Sequence, residues 1–171
     1  MAGHRRRRSP GPRSWADSVG DRDRHAPRRR VLNVYLDTSA AVALVAREPP
    51  SHELRALLAA ATSRYASLLT YVEAHAALAA RRRAAPRHRR RFADARADFE
   101  NLWQAVDVVD FDIVVARVAA VAAARHRLRG ADAVHLASAA SLAADIVVVT
   151  LDASLRRASL EAGLGVAPQS S

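Results

Sequence analysis

The stretch Val34-Tyr35-Leu36-Asp37-Thr38-Ser39-Ala40 decides the fold. A short apolar run ends on an acid, and two hydroxyls lead into an alanine-rich segment of helical length. The same kind of junction recurs at Glu73 in Leu-Thr-Tyr-Val-Glu-Ala, at Asp132 in Arg-Gly-Ala-Asp-Ala-Val-His, and at Asp152 in Val-Val-Thr-Leu-Asp-Ala-Ser-Leu. In a parallel α/β fold such junctions gather at the carboxyl edge of the sheet. Carboxylates collected there repel one another until a hard cation neutralises them, so the first reading is a divalent-metal site.

Outward from this stretch the pattern alternates. Val31 to Leu36, Tyr65 to Leu69, Ala105 to Val109 and Ile146 to Val149 read as short buried strands, with Gly165 to Ala167 as a fifth. Helical stretches lie between and around them: Ser39 to Ala46, Glu53 to Ala61, Tyr71 to Arg82, Arg87 to Trp103, Asp112 to Arg127, Ala131 to Ala143 and Ala153 to Ala162. Strands separated by helix-length segments imply right-handed crossovers and a mainly parallel sheet covered on both faces. Ser51 is a candidate cap for the second helix, Thr70 with Glu73 fits a capping box, Pro86 stands where a helix starts, and Gly163 follows the last helix as a C-cap.

Composition narrows the chemistry. The 171 residues suit one domain, and half of them are apolar. There is no cysteine, which excludes disulfides, thiolate nucleophiles and Cys-based zinc sites. All 27 basic residues are arginine, so a P-loop and Schiff-base or other lysine catalysis are excluded as well. The formal charge of +10 is uneven: residues 1–30 carry +7 of it and residues 31–171 only +3. Residues 1–30, rich in Arg, Pro and Gly and nearly devoid of apolar side chains, read as a disordered basic tail or as a mis-assigned start. Residues 31–171 then form the folded domain. No apolar run reaches the roughly 18 residues of a membrane span, and Arg117 interrupts the longest. The tail has no apolar h-region, and the expectation is a cytoplasmic protein.

Each acid has an ordinary explanation when taken alone. Asp37 and Asp152 suit N-caps, Asp132 suits the first turn of a helix, and Glu73 suits the return arm of a capping box. Together they project into one crevice, where Mg²⁺ or Mn²⁺ suits oxygen ligands and phosphoryl substrates. The chemistry that follows is phosphodiester hydrolysis. Thr38, Ser39 and Thr150 lie close by as accessory hydroxyls, placed to hold a metal's waters or a phosphate oxygen, or simply to cap and pack.

These four motifs resemble, in order, those of the PIN-domain ribonucleases, in particular the VapC toxin branch of type II toxin-antitoxin modules. The match runs from about Val31 to Ala167, and Arg-Gly-Ala-Asp-Ala-Val-His-Leu-Ala-Ser-Ala is its most specific part. The resemblance implies a three-layer α/β/α PIN-like domain in which Asp37, Glu73, Asp132 and Asp152 match the acidic catalytic and metal-binding positions. It also implies Mg²⁺ or Mn²⁺ dependence, an RNA substrate, a homodimer and a cognate antitoxin. The arginine-rich tail and the arginines of residues 81–91 are not part of the family pattern.

That last segment holds seven arginines in eleven residues: Arg81, Arg82, Arg83, Arg87, Arg89, Arg90 and Arg91. Forked guanidinium donors suit phosphates, so the segment reads either as an RNA-binding track or as a solvated helix–helix connection. His135, one helical turn beyond Asp132, reads as a packing residue, because the second Glu-x-x-His of a ferritin-like site is missing. His75 is expected to point away from the site, and Phe99 and Trp103 to pack. Leu54, Leu57 and Leu58 mark either a docking face for the antitoxin or a core-facing stripe. Two other functions compete. A phosphatase of the haloacid dehalogenase type lacks its second Asp, where Ser39 stands, and its lysine. A non-catalytic RNA-binding protein on the same fold keeps all four acids without turnover.

Overall fold

In the computed structural model, residues 31–142 and 145–169 are described. The proposed tail, residues 1–30, lies outside them, as does Ala143, the expected end of one helix.

Five strands form one parallel sheet: β1 (Asn33–Leu36), β2 (Ser63–Ser67), β3 (Asp107–Val109), β4 (Ile146–Val149) and β5 (Gly165–Ala167), in the order β3-β2-β1-β4-β5. All four pairings are parallel, with Tyr35 in register with Tyr65 on one side and Val148 on the other. The central strand is apolar because both of its faces are covered. Val34 and Leu36 point into one core with Val149, and Tyr35 points into the other with Ile146 and Val148.

Helices α1 (Thr38–Val45) and α2 (Ser51–Ala60) cover the first face, joined by α3 (Leu68–Ala84) and α4 (Arg89–Trp103). Helices α5 (Ile113–His126), α6 (Gly130–Ala140) and α7 (Ala153–Glu161) form the opposite layer. The three-layer α/β/α arrangement expected from the sequence is therefore present. The chain runs outward from β1 to β2 and β3, then returns to place β4 on the other side of β1. That reversal makes the β1–β4 boundary a topological switch point, the place outside the carboxyl ends of the strands where open α/β sheets bind ligands.

Several local expectations are corrected. β2 ends at Ser67 instead of continuing through Leu69, because the Ser67 hydroxyl accepts a hydrogen bond from the Leu69 N–H at 3.3 Å and turns the chain into α3. The apolar Leu68-Leu69 pair had looked like more strand. Thr70 is thus inside the helix and buried, and the capping box with Glu73 does not form. Ser51 is the first helical residue of α2 and makes no capping bond, since Pro50 occupies the cap position. Pro86 opens a single 3₁₀ turn, Pro86–His88, ahead of α4. Gly163 does close α7: it sits at φ +81°, and the Leu164 N–H reaches back to the Ser159 carbonyl at 2.9 Å. Leu54 and Leu58 are buried in the core with Leu57 packed against them, so that stripe is not a docking face. Among the described residues no helix is long and apolar enough to cross a membrane.

Candidate metal and phosphodiester site

Asp37 is the residue after β1 and a single position into the switch point. Its backbone N–H donates to the Val149 carbonyl at 3.1 Å, which fixes it against β4. The side chain is almost completely buried, at 4% exposure. Its Oδ1 accepts from the Ala40 N–H at 2.9 Å, capping α1, and from the Ser39 hydroxyl at 2.8 Å. Its Oδ2 accepts from the Thr150 hydroxyl at 2.7 Å. Every one of these donors is neutral. Burial raises its pKa above the usual carboxylate range, against the opposing pull of the Thr150 hydroxyl and the Ala40 N–H.

The three accessory hydroxyls are all tied to acids. Ser39 also accepts from the Leu151 N–H at 2.8 Å, strapping the loop after β4 to α1. Thr150 accepts from the Asp152 N–H at 3.0 Å while donating to Asp37. Thr38 donates to Glu73 Oε2. All three donate to a carboxylate and so hold it in place. Thr150→Val removes a donor from a buried carboxylate and an acceptor from the neighbouring loop. It is expected to lower stability by about 1–3 kcal/mol, and a melting curve indistinguishable from wild type would contradict this role.

Glu73 is one and a half turns into α3 and partly exposed. Besides Thr38 it accepts from His135 Nε2 at 3.0 Å, and His135 Nδ1 lies 2.9 Å from the Tyr35 hydroxyl. A carboxylate only accepts, so Nε2 carries the proton toward Glu73, and Nδ1 accepts from the Tyr35 O–H. Burial raises the Tyr35 pKa, which keeps that hydroxyl a donor. The His135 hydrogen bond holds the Glu73 carboxyl below its usual range. His135 is buried, as expected of a packing residue, but it also supports one of the four acids.

Asp132 lies in the first turn of α6 and Asp152 caps α7, its Oδ1 accepting from the Ser154 and Leu155 N–H groups at 2.8 Å. The Asp132 pKa is raised, first by burial and next by the charge of Asp152, with Asp37 adding to it; His135 and Arg129 oppose the rise. Asp37, Asp132 and Asp152 therefore share one electrostatic field. Among the described residues none of the three forms an ion pair. Arg129 acts on Asp132 without pairing with it, and the carboxylate donors are all oxygen, the set a hard divalent ion takes. No group of three or more Asp, Glu or His side chains among the described residues closes into a preformed cage.

A family model described as PIN domain matches residues 34–160, the span that holds all four acids. The chain belongs to the PIN-domain family. Two relatives from Mycobacterium tuberculosis, Ribonuclease VapC45 and Ribonuclease VapC49, are each 40% identical over 136 residues, covering 79% of this chain and 94% of theirs. They place this PIN domain in the VapC ribonuclease branch. Solved structures with the same fold include PAE2754 from Pyrobaculum aerophilum (24% identity, TM-score 0.51, 74% of this chain and 84% of that one). FitAcB from Neisseria gonorrhoeae is another (22% identity, TM-score 0.52, 78% and 95%).

Sequence reasoning missed Tyr35 and undervalued His135. The signal was a tyrosine between Val34 and Leu36 in a buried strand: a buried phenol needs a polar partner, and His135 is one the topology supplies. The arginine segment divides. Arg81 is committed to Glu48, with Nε and Nη2 at 3.0 and 3.2 Å from its two oxygens, and Arg91 closes the end of α1 by donating to the Ala46 carbonyl. These two thus have partners within the fold, whereas no such bond is made by Arg82, Arg83, Arg87, Arg89 or Arg90 among the described residues. His75 points away from the acids, packing with Tyr71 and Phe99 and lying 3.0 Å from Glu100, while Phe99 and Trp103 pack as expected. The clefts described on this domain lie elsewhere, one of about 590 Å³ between α3 and α4 and one of about 800 Å³ at α1, α2 and α4.

Proposed function

We propose that this PIN domain is a divalent-metal-dependent endoribonuclease and the toxin of a toxin-antitoxin pair, with Asp37, Glu73, Asp132 and Asp152 holding Mg²⁺ or Mn²⁺ beside the scissile phosphate of an RNA. The observation that supports this most is the buried Asp37 carboxylate, satisfied by neutral donors alone while Asp132 and Asp152 add charge beside it. An open arrangement suits Mg²⁺, which keeps several waters and uses one or two carboxylates together with substrate phosphate oxygens. When bound, the cation polarises the phosphate and lowers the pKa of an attacking water.

The chain's own residues supply position. Thr150 and Ser39 fix the orientation of Asp37, and Thr38 and His135 fix Glu73, so both carboxylates are held by the fold before any ligand binds. Asp132 and Asp152 enter from α6 and α7 on the opposite layer. The partners that go with this reading are an RNA substrate, a cognate antitoxin and a second copy of the chain. Purified protein incubated with labelled RNA and Mg²⁺ or Mn²⁺ is expected to produce internal cuts, reduced about a hundred- to a thousandfold in Asp37→Asn, the equivalent of several kcal/mol of transition-state stabilisation. RNA that is bound but never cut by the wild type would instead favour a non-catalytic RNA-binding role.

A further inference from the structure

Four arginines of the 81–91 segment that make no bond within the fold converge on one place, while Arg87, also exposed, does not join them. Arg82 and Arg83 at the end of α3 and Arg89 and Arg90 at the start of α4 line a cavity of about 460 Å³, with Ala93 as the remaining wall. All four are exposed, and among the described residues none forms an ion pair. The nearest acid along α4, Asp94, does not line the cavity. The first turn of α4 holds no acidic residue and its cap position makes no side-chain bond, so arginine charge is stacked on the positive end of a helix dipole. Left alone, that arrangement is self-repelling, and an anion relieves it.

We infer that this four-arginine cavity is a second phosphate-binding site, which holds the RNA backbone at a distance from the bond that is cut. The inference rests on the ribonuclease reading for its ligand and deepens it by naming where the strand runs. Arg82 stands nine residues beyond Glu73 on the same helix, about 14 Å along its axis at 1.5 Å per residue. The site therefore engages phosphates several nucleotides from the acids and is out of reach of a dinucleotide. Its walls are guanidinium groups and one alanine, which suits forked binding to phosphate oxygens. They offer no apolar anchor of the kind that a protein partner needs. Nor do they present a means of reading bases, so the site adds affinity and register without sequence preference.

The test uses the full chain in EDTA, so that binding is measured apart from cleavage, with a labelled single-stranded RNA long enough to span both sites. The variant R82Q/R83Q/R89Q/R90Q is expected to bind this RNA at least about tenfold more weakly, with the slope of log affinity against log salt reduced by about 3. A control of equal charge change on other exposed arginines, R55Q/R117Q/R125Q/R127Q, is expected to bind as wild type does. On adding Mg²⁺, the cavity variant should show a raised KM for the long RNA and unchanged turnover of a dinucleotide. The half-variants R82Q/R83Q and R89Q/R90Q serve if the quadruple variant does not fold, each losing part of the affinity. Equal loss in cavity and control variants would reduce the effect to net charge and overturn the site. So would unchanged RNA binding accompanied by lost binding of a polyglutamate peptide, which would assign the cavity to an acidic protein. A wild type that binds RNA through these arginines yet fails to cut it with metal would sink the nuclease reading and leave this site standing.

Discussion

Asp132→Asn is expected to reduce RNA cleavage at least about a hundredfold, the equivalent of several kcal/mol of metal-assisted stabilisation, while the metal-free protein becomes more resistant to unfolding. The two effects share a cause. Asp132 is raised by burial and by the charges of Asp152 and Asp37, so its ionised form is held in the folded protein at a cost that the cation offsets. A carboxyl whose folded pKa exceeds its unfolded value binds its proton more tightly when folded. Its contribution to stability therefore falls as pH rises from about 4, the unfolded value, through the raised folded one. Asp37 adds a slope of the same sign, and Glu73, held low by His135, adds the opposite slope at more acid pH. Unfolding curves without metal at a series of pH values should show the decline flattened in Asp132→Asn, and added Mg²⁺ should stabilise the wild type more than the variant. Cleavage at the wild-type rate with matched Mg²⁺ would remove Asp132 from the site.

The second large effect is expected at His135. Leucine nearly matches its volume but offers no polar atoms, so His135→Leu leaves the buried Tyr35 hydroxyl without its acceptor and Glu73 without one of its two donors. An unpaired buried hydroxyl and a lost bond to a carboxylate together should lower stability by about 2–4 kcal/mol. Cleavage should fall as well, because Glu73 is no longer held in one orientation. Adding Tyr35→Phe to the variant removes the orphaned hydroxyl and should recover part of the stability, a non-additivity that marks the two residues as one unit. If His135→Leu unfolds at the wild-type temperature, the buried chain from Tyr35 through His135 to Glu73 is not a support for the site.

The layered fold was legible because its signal is repetitive. Apolar runs of strand length between helical segments repeat along the chain, and all five expected strands occur. Two acids were legible for a related reason: Asp37 and Asp152 follow β1 and β4, the paired strands at the switch point. Glu73, in contrast, lies inside α3 and Asp132 opens α6 after another helix, so the expected strand-to-helix junction is absent at both. Asp37 and Asp152 proved to be helix caps and members of the shared field at once, so the ordinary explanation and the chemical one were never exclusive. What the sequence hid was pairing across the chain. Tyr35 meets His135 across a hundred positions, and Thr150 meets Asp37 across more. No periodicity reports such contacts, since they arise only when β4 returns beside β1. The division within the arginine segment was hidden for the same reason. Composition counts guanidinium groups equally, whereas the fold commits Arg81 to Glu48 and Arg91 to the end of α1, leaving Arg82, Arg83, Arg87, Arg89 and Arg90 to the solvent. Thr70 was misplaced because capping motifs depend on where the strand stops, and Leu68-Leu69 reads as strand until the Ser67 hydroxyl is seen to turn the chain.

The central claim is that acids gathered at the β1–β4 switch point work on RNA through a divalent cation. Its most direct test is cleavage of a labelled RNA by the purified full chain, stripped with EDTA and then titrated with Mg²⁺ or Mn²⁺. Cutting should be absent after stripping, return in a saturable way as the cation is restored, and fail to return in Asp37→Asn at any cation concentration. Cleavage that persists undiminished in EDTA, or that Asp37→Asn retains in full, would contradict it.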